Sequence, residues 1–160
     1  MKTLLSLAAA LALCSAPATA QTASSTTFGT GCKSVAFYAK GVPTVGGSFA
    51  LELAHNAIAT AKSIAILHFG VSDKTWLTVP LPADLGPFGA KGCPILCSGE
   101  IAFALVLTPG LNLKVPQVVP NDKALLGVTY YNQFLTLNVT STIELASSNG
   151  GKAVVGYATN

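Results

Sequence analysis

After residue 28 the apolar residues come in short runs, and each run is cut off by Gly, Pro, Asn or Asp. That rhythm constrains the fold most, because runs of this length bury one pleated face at a time and indicate many strands and few helices. The clearest is SFALELA, residues 48–54, where Phe49, Leu51 and Leu53 share one face while Ala50 and Glu52 share the other. Period two with a charge on the outer face predicts a half-buried antiparallel strand. SIAILHFG, from Ser63, is apolar on both faces and ends in Gly70; TWLTVPL, EIAFALVLTP and LNLKVPQVV follow, each closed by proline or glycine. A proline there removes a ladder donor where pairing is finishing.

ALLGVTYYNQFLTLNV is rich in β-branched and aromatic residues, as strands are. In TIELASSNGGKAVVGY, Asn149-Gly150 separates two apolar runs and predicts a terminal β-hairpin. AHNAIATAKS, residues 54–63, holds enough alanine for a short helix, but Ile58, Thr60 and the lack of a clean stripe predict a loop or single turn. Together these features predict an all-β fold, an antiparallel β-sandwich of jelly-roll or Greek-key type with about eight strands and with edges shielded by prolines and lysines.

Residues 1–20 carry Lys2, an apolar run from Leu4 to Leu13 and the small-residue ending Ala18-Thr19-Ala20, the pattern of a secretory signal peptide cleaved before Gln21. Cys14 raises a rival reading as a lipoprotein attachment residue, but bulky Leu13 stands where that cleavage wants a small residue, so simple export is expected. No later run approaches the ~18 apolar residues of a membrane helix, so no membrane span is predicted. The expected organisation is a signal peptide over 1–20, a flexible mature N-terminus over 21–28 and a single β-sandwich domain over 29–160. Its expected location is secreted or at the cell surface, with the periplasm as a variant, all oxidising compartments.

Half of the residues are apolar, and the net charge of +3 is carried by scattered lysines without a single arginine. Arginine is the side chain that grips phosphate bidentately, so a nucleic-acid partner is excluded from the expectations.

Three cysteines lie beyond residue 20: Cys32, Cys93 and Cys97. In an extended strand, residues four apart stand about 13 Å from one another, too far for the ~7 Å limit on disulfide α-carbons. Cys93 and Cys97 in KGCPILCSG are therefore not expected to join. A zinc site matches weakly, since Cys-x3-Cys in an apolar strand has no second close pair beside it, and neither a metal nor a cofactor is expected. What remains is one long-range disulfide, Cys32 to Cys93 with Cys97 filling space as a small hydrophobe, or Cys32 to Cys97. The odd thiol also leaves a link between two chains open.

No nucleophile elbow, zinc-protease helix, phosphate-binding glycine loop or calcium loop occurs, and no catalytic residues are assigned. The carboxylates Glu52, Asp73, Asp84, Glu100, Asp122 and Glu144 are each isolated in sequence, although spacing alone does not prevent two from meeting as a hydrolase pair. His68 is the other hydrolase candidate, weighed against a structural histidine in a strand; His55 carries no more signal. Trp76, beside Asp73, Lys74 and Thr75, is a candidate platform for a sugar ring, weighed against a core aromatic. Tyr130 and Tyr131 are adjacent, so one faces in and the other out, and the outward one is a second candidate for ligand contact. Asn138-Val139-Thr140 is a glycosylation sequon left without an assigned role. The function expected is a secreted, non-enzymatic domain for cell-surface adhesion, assembly or binding of a glycan or a cell-surface protein. A small exported hydrolase is the alternative.

A set of landmarks runs in order along the chain: Gly29-Thr30-Gly31-Cys32; Pro43 and Gly47-Ser48-Phe49 with Leu51 and Leu53; Phe69-Gly70-Val71-Ser72; Leu81-Pro82 with Leu85; Gly92-Cys93; Pro120, Leu125-Leu126-Gly127, Tyr130 and Gln133; and Ser148-Asn149-Gly150. Their order resembles a family of uncharacterised secreted bacterial β-rich domains, often C-terminal modules of large exported proteins. The resemblance implies a β-rich fold and a Cys32–Cys93 pair. Cys97 departs from the family pattern where an apolar residue is usual, and Phe69 stands where leucine is commoner. No activity is implied.

Overall fold

The computed structural model describes residues 21–55, 63–139 and 142–159. The signal segment 1–20, residues 56–62 of the expected loop, and Thr140 of the sequon lie outside the described residues.

Among the described residues, apart from two single 3₁₀ turns, Gly86–Phe88 and Lys123–Leu125, the regular structure is strand. In chain order the strands are β1 (Ser24–Phe28), β2 (Val35–Lys40), β3 (Ser48–His55), β4 (Ser63–Gly70), β5 (Thr75–Trp76), β6 (Val79–Pro80), β7 (Ala83–Leu85), β8 (Ala90–Ile95), β9 (Ile101–Val106), β10 (Leu113–Val118), β11 (Thr129–Val139), β12 (Ile143–Ser147) and β13 (Gly150–Val154). The fold is all-β, and these ladders are antiparallel. The strands outnumber the eight or so expected because β5, β6 and β7 are too short to show an apolar run, and β1, SSTTF, is mostly polar.

A large sheet runs β1-β13-β11-β4-β9, with β12 also on β11; a smaller one runs β10-β3-β2. One core lies between them, with Phe37, Leu51 and Leu53 from the small sheet against Ala65, Leu67 and Phe134 from the large one. The rings of Phe37 and Phe134 meet at 6.1 Å. Full burial of each such side chain contributes about 1.5–3 kcal/mol.

The excursion from β5 to β8 forms a further layer on the other face of the large sheet. Leu85, Ala90 and Cys93 bury themselves there, packed with Ile95, Leu135 and Leu145. The double-sided apolar pattern of β4 follows: Ala65 and Leu67 face the small sheet while His68, on the opposite face, is buried beside Cys97.

Three local expectations are corrected. Residues 21–28 are not a flexible leader: Ser24–Phe28 form β1, paired along its length with β13. Hydroxyl-bearing threonine is a good strand former once a partner edge exists, and the partner is supplied from the far end of the chain.

The second concerns Asn149-Gly150, which makes no hairpin. β12 and β13 both pair with β11, end to end. Leu135 faces Ser147 while Asn132 faces Gly151, so three steps on β11 are opposed by four, which is a β-bulge. The glycines serve close approach instead of a turn. A Cβ on Gly150 would lie 2.6 Å from Phe28 Cζ, and one on Gly151 2.4 Å from Phe37 Cε1.

Third, the shielding of edges is uneven. Pro116 lies inside β10, and Val119 N donating to Gly47 O sets the phase in which Lys114, Pro116 and Val118 turn their backbone groups to the open side. That edge is interrupted by a missing donor. β9, IAFALV, carries neither proline nor lysine.

Candidate functional site

Of the residues singled out in the sequence, Trp76, His68 and Cys97 meet around Gly99 with Glu100 and Asp73 nearby, and Tyr130 lines a separate concavity. Trp76 stands on the β5–β6 hairpin, whose turn begins at Leu77 with φ of 54°. A leucine in the left-handed region is uncommon and strained, and this one is 89% exposed. The edge of the indole lies over Gly99, where a Cβ would sit 3.4 Å from Trp76 Cζ2 and 3.6 Å from His68 Cδ2.

Beside the indole opens a concavity of about 300 Å³, lined chiefly by Trp76, Leu77, Val79, Leu85, Phe88 and Ile95. Phe88 at its rim is 75% exposed. Asp84 is the ionisable residue of the lining, and its carboxylate is occupied, accepting from the amides of Gly86 and, at 2.8 Å, Gly92.

Tyr130 and Tyr131 fall on opposite faces of β11, as adjacency requires. Tyr130 packs at 6.0 Å from Phe69 and lines a different concavity, of about 310 Å³, with Val71, Glu100, Ile101 and Gln117. Burial pushes its phenol up to about 12. Tyr131 meets Phe28 edge to face at 5.8 Å, and its phenol is raised by burial and by Asp73.

The cysteines divide as the landmark resemblance implied: Cys32 and Cys93 form a disulfide with α-carbons 5.0 Å apart, and Cys97 is free and buried. Cys97 is more than a space filler. β8 stops at Ile95, and the chain then folds the thiol inward to 3.4 Å from His68 Nε2. Burial holds His68 down to about 4, and burial followed by the nearby Glu100 and Asp73 pushes Cys97 up to about 12. At neutral pH the pair is therefore thiol and neutral imidazole, whereas a nucleophilic cysteine requires thiolate.

Among the described residues, no three His, Cys, Asp or Glu gather in an arrangement able to hold a metal ion, and no helix is long and apolar enough to cross a membrane. Asp73 and Glu100 both act on Cys97. Glu100 accepts from Ser98 Oγ at 2.8 Å and Val71 N at 3.1 Å, tying the end of β4 to the start of β9. Glu52 and Asp73 lie 3.9 Å from Lys40 and 3.5 Å from Lys74 respectively, and Asp122 caps a 3₁₀ turn through Ala124 N. The Trp76 concavity holds one carboxylate, Asp84, and the Tyr130 concavity one, Glu100. His55 is buried at the end of β3.

Two side chains without an assigned role in the sequence bind the layers together. Gln133 is fully buried; its oxygen accepts from Leu96 N at 2.9 Å and its nitrogen donates to Pro94 O and Ser148 O at 2.9 and 2.7 Å. Asn149, the bulge residue, accepts from Phe37 N at 2.8 Å and donates to Phe37 O at 3.2 Å, completing the edge of β2 as a neighbouring strand would. Both appear among the family landmarks, which marked the positions but not the reason.

This architecture is an antiparallel all-β domain of two main sheets and two small ribbons, with a disulfide-tied outer layer. No family model, curated protein or solved structure matches the chain.

Proposed function

We propose that the protein is an exported, non-enzymatic binding domain that acts in adhesion or assembly outside the cell, and that the Trp76 face receives an apolar feature of a protein partner. The observation that carries this reading is the exposed apolar group Leu77, Val79 and Phe88 around an open, nearly uncharged concavity. A monomeric surface seldom displays such a patch without using it. Leu77 strengthens the point, since backbone strain is spent on presenting an apolar side chain to solvent.

A glycan needs hydrogen-bonding groups beside the aromatic ring. The carboxylate there is already engaged by two backbone amides, which favours an apolar protein partner over a sugar. Export is supported by the leader pattern of residues 1–20 and by the Cys32–Cys93 disulfide. Membership of the family of secreted bacterial β-rich domains is part of the same proposal, supported by the order of the landmarks.

Trp76 is the single tryptophan, so its emission reports on this face. Short peptides selected from a random displayed library against the protein should be aromatic-rich and shift that emission. They should lose about tenfold or more in affinity on Leu77→Asp, a change that aspartate accommodates at positive φ. Oligosaccharides from a glycan panel should leave the emission unchanged. Emission shifted by a glycan would overturn the partner class, and peptides indifferent to Leu77→Asp and Phe88→Ser would overturn the face.

A further inference from the structure

We infer that β9 is an assembly edge, which pairs antiparallel with β9 of a second copy of the chain to join the two large sheets into one. The inference concerns a different surface from the Trp76 face and stands or falls separately.

The end strands of the two sheets differ in what they offer. β10 lacks a donor at Pro116 and carries Lys114; β2 is completed by the Asn149 carboxamide; β1 is SSTTF, with polar residues at four of its five positions. Among the described residues, β9 terminates the large sheet, with β4 on one side only. Its six residues, IAFALV, include no charge, no proline and no polar side chain. Sheet edges are ordinarily blocked by those devices, so their joint absence on one strand points to an edge meant for pairing.

The register specifies the geometry. Leu107 N donates to Ser63 O, and 63 faces 107 in the β4–β9 ladder. Residues 101, 103 and 105 therefore spend their backbone groups on β4, and Ala102, Ala104 and Val106 direct theirs to the open side. An antiparallel copy centred on Ala104 makes 104 face its own equivalent, 102 face 106 and 103 face 105.

Every resulting pair is apolar. Phe103 packs on the partner copy's Leu105 and the reverse, on the face where Phe103 also meets Phe69 at 6.1 Å. Ala104 is small at the two-fold axis, where any charged residue would meet its own like charge. Burial is the gain: Ile101, Phe103 and Val106 stand 57%, 52% and 75% exposed. Six residues a side make a small interface, so the dimer is expected to dissociate on dilution.

Sedimentation and light scattering of the purified protein, from micromolar to millimolar concentration, test this directly. The mass should rise from one chain towards two and stop there. Ala104→Lys, on an exposed position, should keep the circular dichroism and melting of the parent and remain monomeric. Ala104→Cys should crosslink to a dimer on mild oxidation, because directly opposed strand residues stand ~5.5 Å apart, within disulfide reach. Ala102→Cys, which faces residue 106 of the partner, should crosslink far more slowly. A parent that stays monomeric at millimolar concentration overturns the inference and leaves the edge to a strand of another protein. So does a dimer that survives Ala104→Lys, and so does equal crosslinking at 102 and 104.

Discussion

At the scale of single residues, the burial of His68 beside Cys97 makes one contribution to stability acid-sensitive. His68 titrates at about 4 in the folded chain because burial disfavours the imidazolium, against an ordinary value of 6.5. A depressed histidine leaves the unfolded chain binding the extra proton between those values, so its contribution is whole above pH 6.5, declines as pH falls and is gone near 4. The loss amounts to ~3 kcal/mol by linkage. Denaturant titrations across that window should show it, and His68→Gln should flatten the slope; an equally steep slope in the variant would place the titration elsewhere. The sequence marked both residues but not their meeting. Period two placed His68 on one face of β4, while Cys97 reaches it only because β8 ends at Ile95 and the chain turns back.

At the scale of elements, the β12–β13 bulge stands where a terminal hairpin was expected. Its extra residue, Asn149, presents a carboxamide to Phe37 in place of a neighbouring backbone. Asn149→Ala leaves a donor and an acceptor of β2 without partners and should cost ~1–3 kcal/mol, read as a lowered denaturation midpoint with an unchanged slope. A change within error would mean that water replaces the carboxamide. Asn-Gly is a sound turn signal locally, and it failed here because β11 is long enough to pair with both flanking strands in line. Alternation identified β3, and short apolar, β-branched or aromatic runs identified β4, β9, β10 and β11. β1 escaped notice since a serine and threonine tract becomes a strand only when β13 lies alongside it.

At the scale of the whole molecule, the disulfide fastens the outer layer to the chain leading from β1 into β2. Cys32 N also donates to Ser147 O, and Cys93 lies in β8. Cys93→Ser removes a constraint on a 61-residue separation, worth about 4 kcal/mol in the chain-entropy model. Melting should fall accordingly, and the intact mass of the parent should be two hydrogens short of the fully reduced chain. A parent of full mass with three free thiols would refute the pairing. The sequence by itself determined the all-β class and the long strands, because side-chain alternation and apolar run length are local properties of the backbone. Tertiary structure alone decided that the large sheet is covered on both faces, that Trp76 and Tyr130 line different concavities, and that β9 ends the large sheet among the described residues. Those outcomes depend on which strands become neighbours, and neighbours far apart in the chain are chosen by the burial of the assembled layers.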